Sequence, residues 1–355
     1  MNFIKNDVSY SIRKRVEWID LCKILACLSV IFFHLGHGDW GKTITTIGVP
    51  FFFIASGYFT KDDPGLWLNW RRFKMLFIPL IVWGVFYFIL VRASDFLCPQ
   101  HTFSLQDIKD FILSVTNFSQ GIDTKNAPLW FLRNLAFYAL ISPILARVGV
   151  FKLFIFLCIC FTFPVNIYNF NAFPNLFFNL HGIPIGLAFF IIGMLLRGWP
   201  LHKFESMLSS NKVIILLALI ASVILARYFH LPFELGAFFT WLCSFCLLGI
   251  WLERGLVVLG LSNFIEPLVR STFVSFACHY IIMQAIFKPY GITFSEDHPI
   301  TLIAAVLSIY IFSFFITWLI ELIIPKYSIF ITGFPSLPTH NKGQVERPPQ
   351  KLDSQ

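Results

Sequence analysis

Long runs of apolar residues constrain the fold of this chain more than any other feature of its sequence. Ten stretches, each near the length of about 20 residues that a helix needs to cross a bilayer, follow one another along the 355 residues. Hydrophobic residues make up 57% of the chain and charged residues only 13%, whereas soluble domains carry about 25% charged residues. The chain is therefore predicted to be an all-α integral membrane protein, a bundle of about ten transmembrane helices.

The interruptions between the apolar runs set the approximate limits of the predicted spans. These spans are 18–35, 43–59, 75–92, 127–146, 150–167, 180–197, 212–229, 232–252, 271–288 and 299–324. Together they form one predicted transmembrane domain, 18–324, preceded by a cytoplasmic N-terminus, 1–17. The tail, 325–355, is rich in proline and polar residues and is predicted to be cytoplasmic and disordered. The loop 93–126 contains an amphipathic stretch, 103–118, predicted to lie on the membrane surface.

Lysine and arginine fall mostly on one side of the predicted bundle. Nineteen of the 27 lie in segments on the same side as the N-terminus, six lie on the opposite side and two lie within spans. Cytoplasmic segments of membrane proteins carry such an excess of positive charge. The predicted orientation therefore places both termini in the cytoplasm (N-in, C-in). The net charge of +8 is explained by this orientation and requires no nucleic acid as a partner.

The first predicted span contains three ionisable residues, Asp20, Lys23 and His34. Such side chains are costly inside a membrane, so each is a candidate functional residue. At about 100° per residue, the spacing from Lys23 to His34 returns to nearly the same face of the helix. Asp20, three residues before Lys23, shares this face. The pattern predicts an Asp20–Lys23 ion pair, with His34 about 16 Å further along the helix, towards the outer surface.

The imidazole of His34 suggests general-base chemistry. A neutral imidazole can take the proton from a sugar hydroxyl while the hydroxyl oxygen attacks a thioester carbonyl. The alternative is a structural histidine near the membrane interface, hydrogen-bonded to a neighbouring helix. The acid and the base on the same helix face favour a catalytic site formed by His34, Asp20 and Lys23.

Two adjacent segments offer groups suited to an anionic cofactor. The second span ends with Ser56 and Gly57, small residues that let another group approach the helix closely. The following loop leads into three cations, Arg71, Arg72 and Lys74, a cluster suited to the phosphates of coenzyme A. The alternatives are ordinary ones: small residues also pack helices together, and cations at an inner boundary also anchor the topology.

Polar residues also occur in two later spans. Trp130, Arg133 and Asn134 stand near the start of the fourth span, where they are predicted to bind substrate at an aqueous cavity on the outer side. Trp130 also fits an interfacial aromatic belt. His279, in the ninth span, is a further candidate for substrate binding, although a packed histidine with its hydrogen bonds satisfied explains it equally well.

The order and spacing of these motifs resemble the bacterial membrane-bound acyltransferase-3 family. The first span of that family carries an aspartate, then an arginine, ten further residues and a histidine. Asp20, Lys23 and His34 match this spacing, with lysine in place of arginine. The family's phenylalanine-rich second span is similar to 51–59. Its Arg-x-x-Arg motif is similar to 71–74, again with lysine at the last position.

The runs 77–80 and 128–132 are also similar to family patterns, and the resemblance covers about 16–324. It implies an O-acetyltransferase of the bacterial inner membrane that modifies exported glycans, such as lipopolysaccharide O-antigen, enterobacterial common antigen or peptidoglycan. It implies acetyl-CoA as the acyl donor, a glycan or lipid-linked oligosaccharide as the acceptor, surrounding membrane lipid, and no metal. Lysine in place of arginine keeps the charge but loses the bidentate fork.

The expected reaction begins with acyl-CoA docked on the cytoplasmic side, its phosphates near Arg71, Arg72 and Lys74. The pantetheine arm would enter between the first three spans, and His34 would act at the thioester by direct transfer or through a covalent acyl-histidine. Two other classes also fit ten spans: a transporter or flippase of a lipid-linked sugar, and a non-catalytic membrane scaffold.

Overall fold

The computed structural model describes residues 17–35, 47–60, 65–97, 129–149, 151–157, 183–229, 235–283, 299–325 and 328–332, and every regular element in them is helical. The helices are α1 (Glu17–Leu35), α2 (Gly48–Tyr58), α3 (Gly65–Leu97), α4 (Leu129–Arg147), α5 (Ile183–Leu196), α6 (Leu201–Ser210), α7 (Lys212–Phe229), α8 (Leu235–Val258), α9 (Ile265–Ile282), α10 (Pro299–Ile323) and α11 (Ile329–Thr332). Residues 151–157 are also helical. A short 3₁₀ turn, Ser262–Phe264, precedes α9.

Five of these helices are long and apolar enough to cross a membrane. The qualifying segments are Glu17–Leu35, Trp70–Ile89, Leu129–Arg147, Thr240–Val258 and Pro299–Ile323. Helices α6 and α7, bent by 70° at their junction, form a sixth if they are counted as one broken span. The predicted all-α, multi-pass membrane protein is therefore confirmed. The count of ten spans and the orientation stay predictions.

Several predicted spans differ in length from the helices observed. The second corresponds to α2, which has only 11 residues, and the sixth to α5, of which the structure describes 14 residues. At 1.5 Å per residue, α2 is about 16 Å long, roughly half the hydrocarbon core of a bilayer. The third span is the middle of α3, which extends over 33 residues. Most of the fifth predicted span and the amphipathic stretch 103–118 lie outside the described residues.

Helix α1 lies at the centre of the bundle. It packs against four other described helices, α2, α8, α9 and α10. Eleven of its 19 residues are buried. This position brings the first predicted span into contact with parts of the chain that are far away in sequence.

Helix α9 is unusually polar for a helix inside a membrane bundle. It corresponds to the predicted ninth span, 271–288, but begins earlier, at Ile265, and therefore includes Glu266 and Arg270. Arg270 lies 3.3 Å from Glu266 and 3.1 Å from Glu321 of α10, so its buried guanidinium is paired twice. Because α1 and α10 pack against α9, its hydroxyl and imidazole groups are removed from lipid.

Two glycines allow α2 and α5 to pack backbone against backbone. A Cβ added to Gly57 would overlap the Phe190 carbonyl, and one added to Gly193 would overlap the Ile54 carbonyl. Small residues at helix crossings are a common means of close packing in membranes. Gly57 therefore has a packing role on the face of α2 turned towards α5.

The substitution Gly193→Ala is expected to lower the unfolding temperature of the protein in detergent. The added methyl group would push α5 away from α2, an overpacking effect of about 1–3 kcal/mol. Gly255→Ala is the matched control, because Gly255 is helical and a Cβ there meets no atom within 4 Å. Alanine favours helix by up to about 1 kcal/mol over glycine, so this control should be neutral or stabilising. Equal melting temperatures for the two variants would contradict the packing assignment.

The start of the predicted disordered tail needs a correction. Residues 328–332 contain α11, which packs against α3 and α9. The indole nitrogen of Trp83 donates a hydrogen bond to the Ile331 carbonyl at 3.0 Å, and Thr332 is fully buried. Proline and polar residues dominate the tail as a whole, but Ile331 is partly buried against the hydrophobic core.

Candidate active site

The predicted Asp20–Lys23 ion pair is present in α1. The Lys23 Nζ atom lies 2.8 Å from Asp20 Oδ1. Asp20 is buried, with 8% of its side chain exposed, while 29% of the Lys23 side chain remains accessible. The ammonium group also lies 6.0 Å from the centre of the Phe59 ring. The pair therefore neutralises a buried carboxylate and still presents a cation to the space beside α1.

That space is a cavity of about 340 Å³ lined by residues of α1, α2, α3, α4 and α9. Four of the lining residues bring polar groups: Lys23, Ser56, Arg72 and Thr272. The rest of the lining is apolar and rich in phenylalanine. A concave apolar site with a few polar groups is the usual form of a small-molecule site. The first three predicted spans contribute residues to this cavity, and α4 and α9 complete its wall.

Arg72 joins α3 to the C-terminal end of α2. Its Nη2 atom donates to the Ser56 carbonyl at 2.8 Å and to the Ser56 hydroxyl at 3.1 Å, and Nη1 donates to Thr60 Oγ1 at 3.0 Å. The last carbonyls of a helix have no partner within the helix and carry partial negative charge, so a guanidinium stabilises them. Arg72 therefore fixes the end of α2 and supplies positive charge to the cavity wall.

His34 and His279 form a pair at the other end of the α1 polar face. Their ring centroids are 5.1 Å apart, with an angle of 35° between the planes. His279 is fully buried, and its Nδ1 atom lies 2.8 Å from the Phe276 carbonyl and 3.2 Å from the Ser275 carbonyl. His34 is only partly buried. The two histidines come from helices that are far apart in sequence, α1 and α9.

A cluster of three phenylalanine rings connects the cavity with the histidine pair. Phe52, Phe131 and Phe276 all line the cavity, and their ring centroids are 4.7 to 6.2 Å apart. The Phe276 ring also lies 5.9 Å from the ring of His279. Phe276 therefore contacts both the Lys23 cavity and the histidine pair. The three phenylalanine rings therefore lie between the cavity that contains Lys23 and the histidine pair.

Comparison with known families decides what class of protein contains this site. A family model described as an acyltransferase domain, Acyl_transf_3, matches residues 16–322. The chain belongs to the acyltransferase-3 family. The match includes α1 to α9 and almost all of α10, and therefore every residue of the candidate site. No curated protein and no solved structure gives a significant match to the chain.

Family membership identifies the protein as an acyltransferase embedded in a membrane. Its apolar helices confirm that it is a multi-pass membrane protein. An acyltransferase requires an acyl donor and an acceptor, and the predicted transporter and scaffold alternatives offer no role for them. The enzyme class predicted from the sequence is therefore confirmed at this level.

The three cations predicted to form one cluster point in different directions in the acyltransferase. Arg72 lines the cavity, whereas Arg71 and Lys74 are exposed on other faces of α3. The Lys74 ammonium lies 5.3 Å from the centre of the Trp70 ring. Successive helical residues point about 100° apart, so neighbours of a cavity-facing residue turn away from the cavity. Gly57 likewise faces α5, while Ser56 faces the cavity.

A second arginine, Arg197, also contacts the C-terminal end of α2. No motif in the sequence indicates this contact. Its Nη1 atom donates to the Thr60 carbonyl at 2.9 Å, beside the bond from Arg72 to the Thr60 hydroxyl. Two guanidiniums therefore converge on one residue. In the sequence, Arg197 is only one of many cations near span ends, so the contact depends on the packing of α2 against α5.

The residues predicted at an outer aqueous cavity are packed in the bundle. Arg133 is 4% exposed and Asn134 is fully buried. Trp130 packs against the Phe53 ring at 6.4 Å between centroids. None of these three residues lines the cavity beside Lys23. A role for them in substrate binding stays a prediction.

Proposed function

We propose that this acyltransferase moves an acetyl group from cytoplasmic acetyl-CoA to a hydroxyl of an exported or lipid-linked glycan, such as O-antigen, in the bacterial inner membrane. The donor enters from the side on which most lysine and arginine residues lie. The acceptor arrives from the opposite side, near His34.

The observation that carries this proposal is the cavity shared by Lys23 and Arg72. Lys23 and His34 lie on nearly the same face of α1, so the cavity lies beside the face that also presents His34. Both cations suit an anionic donor, since hydrogen bonds between charged groups are about twice as strong as neutral ones. The apolar and aromatic remainder suits the thioester arm more than a hydrated sugar. In support, the Phe276 ring lines this pocket and lies 5.9 Å from the ring of His279.

The chemical step uses His34 as the general base. Its unprotonated ring nitrogen takes the proton of the acceptor hydroxyl while the hydroxyl oxygen bonds to the thioester carbonyl carbon. The carbon–sulfur bond then breaks, and the proton held by His34 passes to the CoA thiolate. The products are the acetyl ester and free CoA. A covalent acetyl-His34 intermediate would give the same products in two steps.

A direct test is incubation of membranes containing the protein with acetyl-CoA labelled in the acetyl group and with total surface glycan. The expected result is label in glycan that is released by mild base, as an O-acetyl ester requires. Deletion of the gene is expected to remove the same acetyl groups from the cell-surface polysaccharide. If label does not enter glycan, or unmodified glycan crosses the membrane instead, the proposal is wrong.

Arg72 and the neighbouring Arg71 provide a matched pair for testing the donor site. Arg72→Gln is expected to raise the KM for acetyl-CoA by about 10-fold or more, since a hydrogen bond to a charged group contributes about 1.5–3 kcal/mol. Arg71→Gln should leave the KM unchanged because Arg71 is exposed away from the cavity. The melting temperature of each variant separates donor binding from the capping of α2. Equal KM values for the two variants would remove Arg72 from the donor site.

A further inference from the structure

We propose that His279 is a positioning residue that orients His34 by accepting a hydrogen bond from its imidazole. The inference rests on the proposed function, in which His34 is the general base. His279 is fully buried and does not line the cavity, so the role proposed for it acts through His34 and involves no contact with substrate.

The first argument is the tautomer of His279. Its Nδ1 atom lies within hydrogen-bond distance of the Phe276 and Ser275 carbonyls. Carbonyl oxygens only accept hydrogen bonds, so Nδ1 must carry the proton. In a neutral imidazole the other nitrogen, Nε2, then holds a lone pair. The backbone of α9 thus fixes His279 as a hydrogen-bond acceptor at Nε2.

The second argument is the state of that acceptor. Nε2 of His279 is buried and has no hydrogen-bond partner among the residues that the structure describes. Buried polar atoms are nearly always hydrogen-bonded, so an unpaired buried nitrogen requires an explanation, and a role in catalysis is one that natural proteins use. His279 is 0% exposed, so a substrate could not reach this atom without displacing the helices around it.

The third argument is the distance to His34. A straight N–H···N bond of about 2.9 Å between two imidazoles separates their ring centres by ~5.2 Å once the two ring radii are added. The observed separation is 5.1 Å. The separation of the two rings therefore fits a hydrogen bond from an N–H group of the partly buried His34 ring, once that ring is turned towards Nε2.

This hydrogen bond would have a defined effect on catalysis. It holds His34 in the tautomer whose other nitrogen is unprotonated and faces the acceptor hydroxyl. When that nitrogen takes the hydroxyl proton, His34 becomes an imidazolium, and Nε2 of His279 continues to accept from it. His279 itself neither gains nor loses a proton during the reaction. It performs the orienting task that a carboxylate performs in a serine hydrolase triad.

The two amide substitutions of His279 separate orientation from folding. In His279→Asn the amide reaches only the Nδ1 position, so the bond to the α9 backbone is kept and the acceptor is lost. In His279→Gln the amide oxygen reaches the Nε2 position and can still accept from His34. We expect His279→Asn to lower kcat by about 10- to 100-fold, with the KM for acetyl-CoA within about twofold of the wild type. His279→Gln should retain at least ten times more activity than His279→Asn.

Equal losses in the two variants, or a loss expressed in KM alone, would overturn the inference. Nitrogen NMR of the histidine rings in the wild-type protein tests it without any variant, since it reads the tautomer of each ring. Protonation of His279 at Nε2 would also overturn it. If the wild type itself transfers no acetyl group, the proposed function fails. If the wild type is active and His279→Asn is equally active, only the positioning role fails.

Discussion

The substitution His34→Ala is expected to abolish acetyl transfer and to leave the protein folded in the membrane. His34 is partly buried in the last turn of α1, so loss of its ring removes the proposed base without opening the centre of the core. General bases contribute about 100- to 10,000-fold to enzymatic rates, and the fall in kcat should lie in that range. The measurement is transfer of labelled acetyl groups to glycan in membranes that contain equal amounts of each protein.

His202→Ala is the control for this experiment. His202 lies in α6 and is exposed, away from the cavity and from α9. Its removal should change neither transfer nor acetyl-CoA binding. Binding of acetyl-CoA by the His34→Ala protein distinguishes a lost base from a lost donor site and should be close to that of the wild type. Acetyl transfer that survives in His34→Ala would overturn the catalytic assignment.

The substitution Lys23→Met is expected to damage both stability and activity. It leaves the buried Asp20 carboxylate without its partner, and breaking a buried ion pair from one side costs about 3–5 kcal/mol. It also removes a cation from the cavity wall. The single variant therefore cannot tell a structural lysine from a functional one.

The double substitution Asp20→Asn with Lys23→Met makes that distinction. Neutralising both partners removes the unpaired charge, so the melting temperature of the double variant should be close to that of the wild type. Acetyl transfer should not return, because the cavity still lacks its α1 cation. We expect kcat/KM for acetyl-CoA to stay about 10- to 100-fold below the wild type, the loss of one charged hydrogen bond. Full recovery of activity would mean that the ion pair serves only to hold α1 in the bundle.

The sequence alone was sufficient for features that depend on one helix or on composition. Apolar runs predict membrane helices because the bilayer leaves few alternatives for the backbone. The Asp20–Lys23 pair was predictable because residues three apart on a helix must be neighbours. The motifs of the first 135 residues carried the family resemblance, and the family match over 16–322 confirms it.

The sequence was less informative wherever the rotation or length of a helix decides the outcome. Arg71, Arg72 and Lys74 look equivalent as a cluster, yet only Arg72 faces the cavity. Which of these three positions points inwards depends on how α3 is turned against α2 and α4. Apolar runs also do not reveal that α2, with 11 residues, is too short to cross a bilayer as a single helix.

Contacts between distant helices were decided only by the tertiary structure. His279 was a candidate from its sequence, but its place beside His34 results from the packing of α9 on α1. The meeting of Arg197 with Arg72 at Thr60 has the same origin. Hydrophobic patterns specify that a helix lies in the bilayer, and lipid and protein neighbours satisfy an apolar surface equally well. They do not specify its partner, since that choice depends on the shapes of both surfaces, and here it brought the two histidines together.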